Sequence, residues 1–269
     1  MAKIKIAVAG CLGRMGQELS KQIINNNKLE FVGGFEHKKH KDINKQFKNV
    51  SDINSTQLID SNPTSSIKLA KVLIDFTTPQ STLENVKIAS QNKTAVIIGT
   101  TGMTEAQKKK VKSYAKKIPI LMSSNMSLGV NVLFNLVQQT ANALKDTDYD
   151  IEIAETHHKH KKDAPSGTAL SLGEYAAEGR KILLNKSKVL DRTKKLTNRK
   201  KGDIGFSVTR GGEIAGEHTV SFIGENDRVD LVHKANNRSI FVKGAIDAAI
   251  FLSNKKSGFY SMNDLLFSK

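Results

Sequence analysis

A short apolar run, Ile4–Ala9 (IKIAVA), breaks at once into GCLGRMG, with glycines at 10, 13 and 16. Few features leave a chain less freedom. Six residues without regular polar alternation describe a strand buried on both faces, and such strands belong to parallel sheets covered by helices. The glycines then call for a tight turn. Met15, Leu19 and Ile23, each four apart, place the next segment in a helix. Residues 31–35, 71–76, 94–98 and 118–122 are further apolar strands, separated by helical stretches and closed by Glu36, TTP, GTTG and SSNMSLG. The first half therefore reads as α/β, a parallel sheet with helices on both faces.

The pattern then changes. Residues 130–144 read as an amphipathic helix, with Leu133, Phe134, Leu136, Val137, Ala141 and Leu144 apolar. Residues 149–154 alternate as a strand, residues 166–179 read as a helix, and residues 204–209, 218–223 and 228–232 read as strands parted by RGG and GEND turns. That succession predicts an antiparallel or mixed open sheet. Residues 240–252 form a last helix with Ala245, Ile246, Ala249 and Leu252 on one face.

Bulk properties narrow the options. At 269 residues the chain suits one large domain or two ordinary ones. A single cysteine, Cys11, excludes an internal disulfide and fits a reducing compartment. The apolar start of MAKIKIAVAG is too short for a signal h-region, and the sequence has no apolar stretch of membrane-spanning length. A soluble, cytoplasmic protein is expected. The net charge of +16 would attract nucleic acid. Lysine is spread along the whole chain, however, and the densest run, residues 186–201, carries eight basic residues and one acid with no aromatic for stacking. It reads as a solvated surface loop, and no nucleic-acid partner is expected.

Two segments carry chemistry. In GCLGRMG the position two after the first glycine is Leu12, so the common G-x-G-x-x-G dinucleotide fingerprint is not met. A G-x-x-G-x-x-G turn between strand and helix serves the same ends, backbone approach to a pyrophosphate and helix N–H groups aimed at it. The second segment, residues 157–169, reads HHKHKKDAPSGTA. Ser166 is placed as the N-cap of a helix whose first turn, at Gly167 and Thr168, offers amides without intrahelical partners. A cationic loop leading into free helix amides is built to receive an anion, and imidazoles beside a lysine can move protons near neutral pH.

HHKHKKDAPSGTA closely resembles the signature of the dihydrodipicolinate reductase family, His-His-x-x-Lys-x-Asp-Ala-Pro-Ser-Gly-Thr-Ala. The resemblance extends to Gly13-Arg14-Met15-Gly16, Phe76-Thr77-Thr78-Pro79, Gly99-Thr100-Thr101-Gly102 and Ser123-Ser124-Asn125-Met126. It implies a Rossmann-type parallel-sheet dinucleotide-binding domain over residues 1–128 and 239–269. A smaller α+β domain with an open mixed sheet, for substrate binding and oligomerisation, would span residues 129–238 and close with the first over the substrate. The cofactor would lie on Gly10, Cys11, Leu12, Gly13, Arg14, Met15 and Gly16. Glu36 would hold the adenosine ribose, with His37 in place of a frequent arginine. Phe76, Thr77, Gly99, Thr100, Thr101, Ser123, Ser124, Asn125 and Met126 would line the nicotinamide half. NADH or NADPH is implied, leaning to NADH.

The resemblance further implies reduction of 4-hydroxy-tetrahydrodipicolinate to tetrahydrodipicolinate with loss of water, on the route to diaminopimelate and lysine, by a homotetramer. His157 and Lys161 fall on proton-donor positions. His158, Gly167 and Thr168 fall on substrate positions, and Arg238 is a further candidate for a carboxylate of the small cyclic dicarboxylate. Asp163 reads as structural, Lys159 and Lys162 as solvated, and His218 as a sheet or loop residue; Arg210 and Glu217 lie in family-like segments. No metal is implied. The competing reading is another two-domain NAD(P)-dependent dehydrogenase acting on an amino-acid-like anion.

Overall fold

The computed structural model describes residues 2–193 and 198–267, so part of the basic run at 186–201 lies outside the described residues. The chain divides into two compact units, Met1–Ser127 with Ser239–Lys269, and Leu128–Arg238.

In the first unit β1 (Ile4–Ala9) leads through α1 (Arg14–Ile24) to β2 (Leu29–Phe35). There follow α2 (Pro63–Ile67), β3 (Val72–Asp75), α3 (Pro79–Gln91), β4 (Ala95–Ile98), α4 (Glu105–Tyr114) and β5 (Pro119–Met122). In the second unit α5 (Leu128–Ala143) precedes β6 (Asp150–His157), α6 (Gly167–Gly179), α7 (Leu184–Ser187) and β7 (Lys188–Val189). Strands β8 (Ile204–Arg210), β9 (Gly216–Ile223) and β10 (Arg228–Ala235) complete it. The chain then returns to the first unit as α8 (Ser239–Leu252), β11 (Gly258–Tyr260) and α9 (Met262–Phe267).

The first sheet has the order β11-β5-β4-β3-β1-β2 with every pair parallel. All residues of β3 and β4 are buried, which accounts for the apolar spelling of residues 72–74 and 95–98. The chain leaves β1 to one side for β2 and crosses to the other for β3. The carboxyl ends of β1 and β3 therefore flank the point where strand order reverses, where open α/β sheets hold ligands. Helix α8 lies close against the loop after β5: a Cβ on Gly244 would meet the Met126 carbonyl oxygen at 1.7 Å.

The second sheet has the order β10-β9-β6-β8-β7 and is mixed, β6 pairing antiparallel with β9 and parallel with β8. Its core joins Val130, Leu133, Phe134 and Val137 of α5 and Leu172 and Ala176 of α6 to Ile151, Ile153, Phe206, Val220 and Phe222. Three expectations are corrected. Leu136 is 44% exposed, because the stripe Val130-Leu133-Phe134-Val137-Ala141 defines the inward face and position 136 lies about a quarter turn off it. Strand β6 runs on past 154 to His157, so that histidine is in the sheet and not in the loop. The basic run also contains β7 at the sheet edge, and Arg199 forms ion pairs with Asp150 (2.8 Å) and Glu152 (2.7 Å).

Candidate active site

The glycine turn after β1 is built from backbone. Gly10 has φ +66°, the left-handed region that favours glycine, and a Cβ on it would lie 2.9 Å from Thr77 Cγ2. A Cβ on Gly16 would sit 2.1 Å from the Gly10 carbonyl oxygen and 2.7 Å from Cys11 Cα, so only glycine lets α1 start this close to the turn. The N-cap of α1 is Gly13, and no side chain caps it. Helices α3, α4 and α6 are instead capped by Thr78, Thr104 and Ser166. The first amides of α1, at Arg14, Met15 and Gly16, thus lack a capping side chain and suit a phosphate. Glu36, at the tip of β2, accepts from Leu12 N at 2.8 Å and from His37 N at 3.3 Å, so the carboxylate stands at the turn's rim. His37 is exposed, with Lys38 and Lys39 after it. Cys11 faces the interior, and burial, followed by the nearby Glu36 charge, pushes its thiol well up. These features fit a dinucleotide held by backbone amides and Glu36.

The neighbouring loops are tied together by a residue the sequence reading passed over. Asp75, the last residue of β3, is fully buried. Its Oδ1 accepts from Thr77 N (3.0 Å) and Thr77 Oγ1 (2.6 Å), and its Oδ2 accepts from Asn85 Nδ2 (2.9 Å). Thr77 N also reaches Thr100 Oγ1 at 3.0 Å, joining the loop after β3 to that after β4. Burial raises the Asp75 pKa, and the hydrogen bonds only partly offset it. Phe76 packs across Gly99, where a Cβ would lie 2.1 Å from Phe76 Cε1. Thr101 is exposed. In the loop after β5, Ser123 Oγ donates to the Asn125 carbonyl (2.7 Å), and Asn125 Oδ1 accepts from Ser127 N (2.9 Å). Met126 is buried and Ser124 exposed.

In the second unit, two-residue periodicity carries Ile151, Ile153, Glu155 and His157 to the same inner face of β6. The core face thus ends in a polar cluster. Glu155 Oε2 contacts His157 Nδ1 and accepts from Arg210 Nη1 at 3.0 Å. Its Oε1 accepts from Arg210 Nη2 and from Ser166 N, both at 2.9 Å. Ser166 Oγ caps α6 through Ala169 N (3.1 Å) and lies 3.2 Å from His218 Nε2. The His157 and His218 rings meet edge to face at 5.1 Å. Burial is the largest influence on Glu155 and pushes its carboxyl up, but Arg210, the Ser166 amide and His157 outweigh it and hold it below its usual value. Burial pushes His157 down against the pull of Glu155, and pushes His218 down to about 4.

Glu155, His157 and His218 have the spacing of a metal triad. The Glu155 carboxylate is engaged with His157 Nδ1 and with Arg210, whose fixed positive charge opposes a cation, and His218 Nε2 lies against Ser166 Oγ.

Around this cluster stand the remaining candidates. Lys161 Nζ pairs with Asp163 Oδ1 at 2.9 Å, and the Asp163 carbonyl accepts from Arg210 Nη2 at 2.7 Å. Arg238 Nη2 lies 3.0 Å from His158 Nε2, so these two substrate candidates adjoin. Gly167 is exposed, with open space around the position of a Cβ, and Thr168 is half-buried beside it. Lys159 pairs with Glu213 at 3.2 Å, and Lys162 is exposed. Glu217 lies 3.8 Å from Lys234 across β9 and β10. Glu155 was absent from the sequence reading. Its only sequence signal is an acid on the apolar side of an alternating strand, two before the first histidine.

A parallel sheet with a glycine turn at its reversal point and an uncapped helix beyond it defines a Rossmann-type dinucleotide-binding unit. Residues 4–126 match the family model described as dihydrodipicolinate reductase, N-terminus, and residues 129–266 match that described as dihydrodipicolinate reductase, C-terminus. This chain belongs to the dihydrodipicolinate reductase family. It is 41% identical over 264 residues to the 4-hydroxy-tetrahydrodipicolinate reductase of Bartonella tribocorum, covering 98% of each chain. It is 42% identical over 271 residues to the protein of the same name in Pelagibacter ubique, covering 99% of each. The fold is similar to that of a dipicolinate-bound dihydrodipicolinate reductase from Paenisporosarcina sp. TG-14, with TM-score 0.76 and 26% identity over 97% of this chain and 98% of that one. Identity along the whole length favours this family over a more distant dehydrogenase.

Proposed function

We propose that this chain reduces 4-hydroxy-tetrahydrodipicolinate to tetrahydrodipicolinate with NAD(P)H, releasing water, in the synthesis of diaminopimelate and lysine. The observation that carries the reading on the substrate side is the buried Glu155–His157 pair set beside Lys161 and the start of α6. Bound NAD(P)H supplies the hydride. The chain's own groups handle the proton and the two carboxylates. The Lys161 ammonium and His157 hold and deliver the proton that accompanies hydride addition. The amides at Gly167 and Thr168 take one carboxylate at the positive end of α6. Arg238, braced by His158, takes the other.

Gly10 to Gly16, Glu36 and the loops at Phe76–Thr77, Gly99–Thr101 and Ser123–Met126 hold the cofactor in this reading. Glu36 favours NADH through the ribose hydroxyls, and Lys38 and Lys39, following His37, let NADPH serve as well. No helix among the described residues is long and apolar enough to cross a membrane, and we place the enzyme in the cytoplasm. On the second sheet, Ser207, Ala154, Thr219 and Val232 form a cross-strand row of small and β-branched side chains. Val232 is 50% exposed, which suits burial of that face in a homotetramer.

The test couples the protein to an aldolase-type synthase acting on pyruvate and aspartate semialdehyde. NADH should disappear only when synthase and both precursors are present. No consumption under those conditions overturns the assignment.

A further inference from the structure

We propose that Glu155 is the positioning residue of the site: one of its oxygens fixes the His157 ring with Nε2 presented to substrate, and the other anchors the start of α6. The inference rests on the proton-handling role given to His157 above and extends it to a residue that touches neither substrate nor cofactor.

A buried carboxylate needs a reason. Glu155 is 2% exposed on a face otherwise given to Ile151 and Ile153. Burying an ion pair is costly, and well-packed apolar side chains of similar volume often serve stability as well or better. Here the cost is met by a two-pronged Arg210 contact, with both guanidinium Nη atoms on the two carboxylate oxygens. The arginine comes from β8, where it stands beside His157 in the parallel register. The ion pair then leaves two acceptor positions for other uses. One meets His157 Nδ1 and the other the Ser166 amide.

The first contact determines where the ring's proton is. A carboxylate accepts only, so a neutral His157 beside it carries its hydrogen on Nδ1 and its lone pair on Nε2. The Nε2 edge looks toward Gly216, where a Cβ would lie 2.9 Å from Nε2. That glycine has φ +154°, so a side chain there is excluded by backbone and by the ring alike. The other charged or titratable groups bearing on the ring are Lys161 and Arg210, which disfavour its protonation, and His218, itself neutral near pH 7. Glu155 is the one anion among them and holds the ring's affinity for a proton up. The second contact fixes the residue whose side chain caps α6, directly before the Gly167 and Thr168 amides. One carboxylate therefore sets both the proton position and the anion cradle.

The test uses the full chain labelled with ¹⁵N-histidine, with His157 resonances assigned by their loss in His157→Asn. Long-range proton–nitrogen spectra near pH 7.5 should show Nδ1 protonated and Nε2 bare. The opposite tautomer overturns the proposal, and this arm stands whatever the protein's substrate proves to be. In the kinetic arm, Glu155→Gln keeps the shape and removes the charge. It should lower kcat by about 10–100-fold, the scale seen when a group orienting a functional histidine is lost. It should also move to lower pH the alkaline limb that His157 contributes to the kcat/KM profile, because without the Glu155 charge the ring holds a proton less strongly, and leave NADH binding unchanged. A folded Glu155→Gln protein with wild-type kcat and an unmoved alkaline limb overturns the proposal. Should that variant fail to fold, the tautomer of the unmodified chain decides alone. Absence of turnover in the unmodified enzyme strikes the activity reading, while the spectra still support or overturn the role of Glu155.

Discussion

Two helices in this molecule begin at sites proposed to take anions, and they are made in opposite ways. The start of α1 is shaped by absence: glycines at 10, 13 and 16, no capping side chain, and backbone closer than any Cβ permits. The start of α6 is shaped by presence: a serine cap, a buried carboxylate, a two-pronged arginine and two edge-to-face imidazoles. A pyrophosphate is common to every dinucleotide, and backbone amides suffice for it. A small diacid that must also receive a proton needs side chains with defined charge. The first design is intolerant of added atoms, and the second is intolerant of altered charge.

The most severe break in the first design is Gly16→Val. Its Cβ would overlap the Gly10 carbonyl at 2.1 Å, so the turn must open. Loss of NADH binding in a fluorescence titration is expected, with about 1–3 kcal/mol of lost stability from overpacking. Retained NADH affinity would contradict a backbone-built site. The matching break in the second design is Lys161→Ala. Its partner Asp163 is largely exposed, so no buried charge is orphaned. A 10²–10⁴-fold fall in kcat is expected with an unchanged thermal melt; kcat near wild type would remove the lysine from proton delivery.

The two regions should also answer acid with opposite signs. His218 has its pKa pushed from 6.5 to about 4, so the unfolded chain takes up the proton first as pH falls. Stability is then lost between about pH 6.5 and pH 4, by roughly 3 kcal/mol for this group at about 1.4 kcal/mol per unit. His157 acts in the same direction, and Glu155, held low, adds its loss at still lower pH. Asp75 in the first unit is held high instead, so its contribution is present at low pH and fades as pH rises through its raised pKa. Hydrogen exchange, corrected for intrinsic rates, should show amides of β6 and β9 losing protection between pH 7 and pH 5 while those of β3 and β4 keep it. Equal loss in both sheets would refute the contrast. The smallest effect expected is that of Asp163→Asn, under about 1 kcal/mol by urea unfolding, as for other exposed pairs.

Much of this was legible along the chain wherever the determinant is local. Short apolar runs, residues 6–9, 72–74 and 95–98, mark β1, β3 and β4 because both faces are buried there, and Ser166 announces the cap of α6 because capping spans only three residues. Determinants that depend on sheet register were not legible. Arg210 reaches Glu155 from a strand more than fifty positions away, and only the parallel pairing of β6 with β8 brings them together. Asp75 closes an apolar run and gives no sign that Thr77, Asn85 and Thr100 will satisfy it. The lysine-rich stretch hides a strand of two residues and an arginine bound to Asp150 and Glu152, since composition there is dominated by solvated charge.

The first sheet takes one of its two edge strands, β11, and the helix α8 from the far end of the chain. On the ribosome, the intervening unit therefore emerges whole before the sheet that precedes it has all its parts. Nascent chains stalled once residue 238 has cleared the exit tunnel are expected to resist protease over 128–238 and to be cut within 1–127. Protection of both segments would mean that the early strands hold together without the last.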